Sequence, residues 1–336
     1  MAAVAALMRS ARLEMALETG ALVVPDAGTV AVYQPRVGDD LAALPKDRVR
    51  VVTGFKPDHD YFAAQGYLLT GDAPFAAAIV CLPRSKAEAL ALIARAMAEV
   101  VPGGPVMIDG QKTDGVDAIL KQCRAAHLFD GESFSKAHGK AFVMAAAPAP
   151  ADWQAVASQL EDGFQTLPGV FSADGPDRGS VLLAAALPAK LPNRIGDLGA
   201  GWGYLSRAIL ARVGVKELDL VEADAVALDC ARVNITDPRA RFHWADATTF
   251  RAPKLWDAVV MNPPFHAGRD ADPGRGMAFL KAAQRGLAPN GVLWLVANRH
   301  LAYHATLTAL FREVEDVGGD GTFRVTCARY PIRSRP

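Results

Sequence analysis

Residues 262–265 read Asn-Pro-Pro-Phe, and together they offer what a flat amino group needs from a wall. Asn262 carries a side-chain carbonyl, and the backbone carbonyl of Pro263 supplies a second acceptor. Pro263 and Pro264 fix φ and donate no N–H, so acceptors dominate this stretch. Phe265 presents a ring face on which a planar base can stack. An exocyclic amine has its lone pair delocalised into its ring. Acceptors on its N–H bonds draw the nitrogen toward sp³ geometry and make it a better nucleophile. This chemistry calls for no metal and no covalent nucleophile, so Asn262, Pro263, Pro264 and Phe265 form the candidate catalytic set. His266 follows. A proton leaving a positively charged nitrogen is acidic enough for water to take it, so His266 is assigned no catalytic role.

A second set lies upstream. Gly199, Gly201 and Gly203 form a Gly-x-Gly-x-Gly turn between an apolar run, Ile195 to Leu198, and a helical stretch from Tyr204. Glycines there permit positive φ and let a ligand approach the backbone, and the following helix start presents free N–H groups. The spacing is not the Gly-x-Gly-x-x-Gly of dinucleotide folds, which counts against an oxidoreductase. Asp197 ends the first strand, where its carboxylate can accept from an ammonium or a hydroxyl. Glu222 stands at the tip of the next strand, where nucleoside-binding α/β folds place an acid for the ribose hydroxyls. Asp246 follows a third strand and can accept from an exocyclic amine. Trp202 either lines the site or packs the turn.

These residues need parallel strands to bring their tips to one edge. The chain supplies strand–helix–strand alternation twice, with Gly/Pro turns between. In the second half the order is 256–265, 277–288 and 289–299, closing on a ribbon at 317–330. In the first half it is 74–86, 87–100 and 102–112, closing on a ribbon at 133–146. The expected fold is therefore α/β, with two tandem Rossmann-like domains from an internal duplication. The Pro/Ala-rich stretch 145–152 reads as the linker, giving domains at 1–147 and 153–336. Where the second copy has Asn262 to Phe265, the first has Leu82-Pro83-Arg84-Ser85. Its 22–35 stretch holds only Gly28, so the first copy is expected to be degenerate.

The Gly-rich turn and the three strand-tip acids resemble class I S-adenosylmethionine-dependent methyltransferases. The resemblance implies S-adenosyl-L-methionine as cofactor. Asp197 with Gly199, Ala200, Gly201 and Gly203 would hold its methionine part, Glu222 with Ala223 its ribose, and Asp246 with Ala247 its adenine, with Asn262 beside it. The Asn-Pro-Pro-aromatic motif resembles N-methyltransferases acting on planar amino groups. The 167–187 stretch, the duplicated plan and the phenylalanine form of the motif are similar to small-subunit (16S) ribosomal RNA guanine-N2 methyltransferases, the RsmC-like family. That resemblance implies transfer of a methyl group to the N2 amine of a guanosine in 16S rRNA, with the rRNA or the small ribosomal subunit as partner and the first domain in a folding or RNA-holding role. Competing acceptors are large-subunit rRNA guanine, DNA adenine and protein glutamine. A competing class is a non-catalytic RNA-binding assembly factor. Ala267 departs from the acidic or polar residue expected there.

Composition sets further bounds. Across 336 residues, 36 Lys+Arg balance 36 Asp+Glu, so any RNA-facing charge must be local. Candidate contacts are Arg84, Lys86, Lys112, Lys136, Lys140, Arg269 and Arg275. The four cysteines are scattered, with no paired metal-ligand spacing, and no metal site is expected. No long uncharged apolar run appears. A cytoplasmic monomer without a membrane partner is the expectation.

Overall fold

The computed structural model describes residues 2–264, 266–267, 270–271, 273–301 and 303–333, with the backbone alone at 2–8, 266–267, 270–271 and 273. It divides into two units, Met1–Ala157 and Ser158–Pro336. The expected boundary at 147–153 therefore moves. Trp153 is 5% exposed and packs in the first unit's core, so the Pro/Ala stretch stays with that unit.

The first unit runs α1 (Ala2–Glu18), β1 (Val30–Tyr33), β2 (Val49–Val52), α2 (Lys56–Ala64), β3 (Ala77–Cys81), α3 (Lys86–Glu99), β4 (Pro105–Gln111), α4 (Val116–Ala125), β5 (Phe134–Lys136) and β6 (Gly139–Ala145). Its sheet has the order β2-β1-β3-β4-β6-β5. Strands β1 and β3 are buried at every position, as central strands covered on both faces must be. Helix α3 buries Ala89, Leu92, Ile93, Ala96 and Met97 on one stripe.

The second unit adds a small ribbon of β7 (Ser158–Gln159) and β8 (Gln165–Thr166). It continues with α5 (Arg178–Ala186), β9 (Arg194–Leu198), α6 (Tyr204–Leu210), β10 (Glu217–Glu222), α7 (Ala225–Asn234), β11 (Ala240–Trp244) and β12 (Trp256–Met261). A short ribbon, β13 (His266–Ala267) with β14 (Asp270–Ala271), precedes α8 (Pro273–Gly286), β15 (Leu287–Asn298), α9 (Tyr303–Leu310), β16 (Phe311–Gly319) and β17 (Phe323–Pro331). The sheet order is β11-β10-β9-β12-β15-β17-β16. The first five are parallel, β17 runs antiparallel to β15, and β16 runs antiparallel to β17. Without β11, this order is the first unit's order strand for strand. The repeated signals in the sequence thus correspond to a repeated sheet topology.

The copies diverge at the sheet edge that matters. In the first unit Gly28 precedes β1 rather than following it. Ser85 is the N-cap of α3 and accepts from the Glu88 N–H at 3.3 Å, while Leu82 is fully buried. The position equivalent to the Asn-Pro-Pro-Phe motif is thus used for capping and core. Beside it lies a buried ion cluster. Arg12 donates to both carboxylate oxygens of Asp109, and Arg9 meets Asp39 at 3.0 Å and Asp114 at 3.6 Å. Cys81 on β3 pairs in register with Asp109 on β4, which sets this cluster at the carboxyl ends of those strands.

Candidate active site

The glycine turn starts where β9 ends, and neighbouring groups tie it down. The N–H groups of Gly199 and Ala200 both donate to the Val221 carbonyl, at 2.9 and 3.2 Å. Gly199, Gly201 and Gly203 all have positive φ (75°, 55° and 95°), a conformation that a side chain would strain. A Cβ built on Gly201 would meet nothing within 4 Å, so the backbone there faces open space. The Gly201 N–H donates to Glu222 Oε2 at 2.8 Å, and Glu222 Oε1 accepts from the Asp224 N–H at 2.8 Å. Burial raises the Glu222 pKa, while these backbone N–H groups oppose the rise. Each Glu222 oxygen keeps a further lone pair for a hydroxyl.

Asp197 is fully buried on β9. Its Oδ2 accepts from the Ser206 hydroxyl at 2.6 Å, and its Oδ1 has no partner among the described residues. Burial pushes its pKa up to about 7; the Ser206 hydrogen bond opposes this and the Glu222 charge adds to it. A buried carboxylate oxygen without a donor is costly, and a cationic N–H or a bridging water would supply what it lacks. Asp197 is not among the residues lining the cavity beside the turn.

Asn262 follows β12 directly. Its Nδ2 donates to Asp177 Oδ2 at 2.8 Å and to Ser180 Oγ at 2.9 Å. A carboxylate only accepts, so this contact fixes the amide orientation and leaves Oδ1 as an acceptor. Asp177 is also the N-cap of α5, accepting from the Ser180 N–H at 3.0 Å. A cavity of about 390 Å³, counting its open mouth, joins Asn262, Asp177 and Ser180 to Gly199, Ala200, Gly201 and Trp202.

The other expected residues sit at the same sheet edge but off that wall. Asp246 Oδ1 accepts from the N–H and the hydroxyl of Thr248, so it caps its own turn while Oδ2 remains for a ligand. Ala247 is buried and belongs to the core cluster that includes Phe279. The Ala223 carbonyl accepts from the Trp244 indole. Gly203 packs against α7, where a Cβ would approach Ile235 at 3.0 Å. Pro263 is buried and Pro264 exposed. Phe265 and Arg269 lie outside the described residues, as does the side chain of His266. Trp202 does both things expected of it. It lines the cavity, and its indole donates to the Phe171 carbonyl at 2.8 Å while packing edge-on against Phe164. Of the candidate RNA contacts in the first unit, Lys140 is paired with Asp117 at 2.5 Å and Arg84 approaches Asp114 at 3.8 Å.

Sequence reasoning assigned no site role to Asp177, Ser180 or Phe171. The first two carry a helix-start signal, an Asp three residues before a Ser. That signal reveals a cap and cannot reveal that the cap grips Asn262, 85 residues further along. Phe171 is 67% exposed at the cavity rim, an unusual position for an aromatic ring.

Comparison with known proteins agrees with this geometry. The methyltransferase small domain family matches residues 161–327. A ribosomal RNA small subunit methyltransferase C from Pseudomonas aeruginosa is 33% identical over 263 residues, covering 75% of this chain and 78% of that protein. One from Shewanella loihica is 29% identical over 277 residues, covering 79% and 80%. A solved structure, the T. thermophilus 16S rRNA N2 G1207 methyltransferase (RsmC) in complex with AdoMet and guanosine, is 26% identical. It covers 91% of this chain and 89% of its own, with a TM-score of 0.76. With two sheets of one topology, a glycine turn, strand-tip acids and this similarity across both units, the chain belongs to the ribosomal RNA small subunit methyltransferase C family.

Proposed function

We infer that this chain transfers a methyl group from S-adenosyl-L-methionine to the N2 amine of a guanosine in 16S rRNA. The observation that carries the reading is Asn262. Its NH₂ group is held by Asp177 and Ser180, and it shares a cavity with the Gly199–Trp202 turn. Relatives named for this activity span both units of the chain, which supports the same substrate class.

The residues present fit the cofactor. The open, positive-φ backbone at Gly201 admits a ligand, and Asp197 Oδ1 lacks a donor that an ammonium supplies directly or through water. Glu222 would take the ribose hydroxyls on its remaining lone pairs, and Asp246 Oδ2 the adenine amine, with Ala223 and Ala247 contributing backbone. When bound, the cofactor supplies an electrophilic methyl carbon.

The protein's contribution is placement. Asn262 Oδ1 and the Pro263 carbonyl accept the two N–H bonds of the guanine amine and turn its lone pair out of conjugation. The Asp177–Ser180 grip stops the Asn262 amide from rotating, so the acceptor is preorganised. Such alignment contributes up to about 7–11 kcal/mol in favourable cases. Phe265, the aromatic of the motif, is assigned the role of stacking on the base. Guanine must leave its stack to reach this edge, so loop or single-stranded RNA is the accessible context. The first unit folds or holds RNA without chemistry of its own.

No helix among the described residues is long and apolar enough to cross a membrane; we take the enzyme to act as a cytoplasmic monomer. The test is tritium transfer from labelled cofactor to 30S subunits and naked 16S rRNA, with the methylated nucleotide mapped by mass. Asn262→Ala is expected to abolish transfer while calorimetry shows cofactor affinity within about twofold of wild type. Retention of most activity in that variant would sink the amine-pocket account.

A further inference from the structure

A separate cavity opens at the same sheet edge as Asn262, one strand further along. Met261 on β12 pairs with Leu295 on β15, and β15 continues to Asn298 before the chain turns at Arg299. The cavity forms where this end of β15 meets the start of β17 and the first turn of α9. It encloses about 310 Å³, counting its open mouth. Leu295 and Leu307 are among its apolar lining, and Asn298, Arg299, His304 and Arg324 give it polar groups. Among the described residues no carboxylate lines it, in a chain whose acidic and basic residues are equal in number. Arg324 is paired with Asp316, so among the described lining residues the positive charge left uncompensated is that of Arg299, and a local positive charge in a neutral chain favours an anion.

The two arginines are held differently. Arg299 Nε donates to the Asp320 carbonyl at 2.5 Å, which anchors the guanidinium and leaves its outer nitrogens as a fork. Arg299 has no ion-pair partner within 4.0 Å among the described residues, and it is exposed, as are His300 and His304. Arg324 is fixed by Asp316 at 3.4 Å. Gly276 on α8 keeps the cavity's back wall in place. A Cβ there would overlap the Tyr303 hydroxyl oxygen at 1.6 Å, so α8 and α9 approach closely only because this residue is glycine.

We propose that this cavity is a phosphate subsite that takes a backbone phosphodiester of the rRNA strand beside the guanosine held at Asn262. The proposal deepens the methyltransferase reading and rests on it. A phosphodiester carries one negative charge and acceptor oxygens that match a guanidinium fork. From the strand register, Arg299 lies on the order of 10 Å from Asn262: one strand spacing across and three residues further along. That is the scale separating a splayed base from its own sugar-phosphate. Contacts of this kind position the strand without reading its sequence.

The test is steady-state methylation of 16S rRNA by the full-length protein at several KCl concentrations. Arg299→Ala should raise the KM for RNA about tenfold near physiological salt, with kcat held within about twofold. The plot of log kcat/KM against log salt should become shallower by roughly 0.7–0.9, the loss of one phosphate contact. Arg299→Lys should recover the salt slope and part of the KM, because it keeps charge and loses the fork. Arg312→Ala, an exposed arginine on β16, should do neither. Unchanged KM and slope in Arg299→Ala would overturn the subsite, as would an equal effect from Arg312→Ala or a loss confined to cofactor affinity. If wild type binds the cofactor yet transfers nothing to rRNA, the fault lies in the substrate reading, and the variants are not needed to see it.

Discussion

Asp197 carries a cost to the fold at the edge of the candidate site. Its carboxyl is fully buried with one oxygen lacking a donor, and burial lifts its pKa from the usual carboxylate range to about 7. In the unfolded chain the same group ionises near pH 4. Between these values the folded protein binds the extra proton. The contribution of this group to stability is therefore full below about pH 4 and is lost as pH rises through about 7. The effect is on the order of 4 kcal/mol at most. Urea unfolding of the unliganded protein at pH 5 and pH 7.5 should show this loss, and Asp197→Asn should flatten it. An identical pH slope in both proteins would mean that the carboxyl is ionised throughout. Ser206, whose hydroxyl is the one side-chain partner of the Asp197 carboxyl among the described residues, sits on α6, which links Asp197 to the helix that follows the glycine turn.

At the scale of elements, the N-terminus of α5 holds the Asn262 amide. Asp177 Oδ2 accepts both the Ser180 N–H that starts the helix and the Asn262 amide. One oxygen thus caps the start of a helix and holds the Asn262 amide, which makes the two roles separable by substitution. Asp177→Ala should lose about 1 kcal/mol of stability from the cap and at least about tenfold in kcat as the Asn262 amide gains rotational freedom. Asp177→Ser keeps a capping oxygen on a shorter side chain. It should recover the stability in chemical unfolding while transfer stays low. Recovery of both by Ser would show that Asn262 does not depend on this anchor.

At the scale of the molecule, one topology has been used twice with different ends. The second unit leaves its carboxyl strand edge open, with a cavity against the glycine turn. The first fills the equivalent edge with Arg9, Arg12, Asp39, Asp109 and Asp114. Buried charges tolerate that position only in combination. Removing one partner strands the others, at a cost of about 3–5 kcal/mol. Asp109→Ala should therefore collapse amide exchange protection along β3, β4 and β6 in the full chain. Intact protection there would mean that the cluster contributes little to the first unit.

Much of this was legible in the sequence because local patterns carried it. Strand–helix alternation, apolar runs and turn residues reflect short-range backbone preferences, and they located both sheets and the repeat. Gly199, Gly201 and Gly203 announced a tight turn because only glycine accepts those φ values without strain. The Asn-Pro-Pro stretch announced acceptors because proline cannot donate. What the sequence withheld was long-range. Nothing local says that Asp177 reaches Asn262, that Asp197 turns inward to Ser206, or that Arg12 meets Asp109 across 97 positions. Nor does it mark Trp153 as first-unit core rather than the start of the second domain. Those outcomes depend on which buried polar group finds a partner once the sheet has closed, and only the assembled tertiary structure decides that.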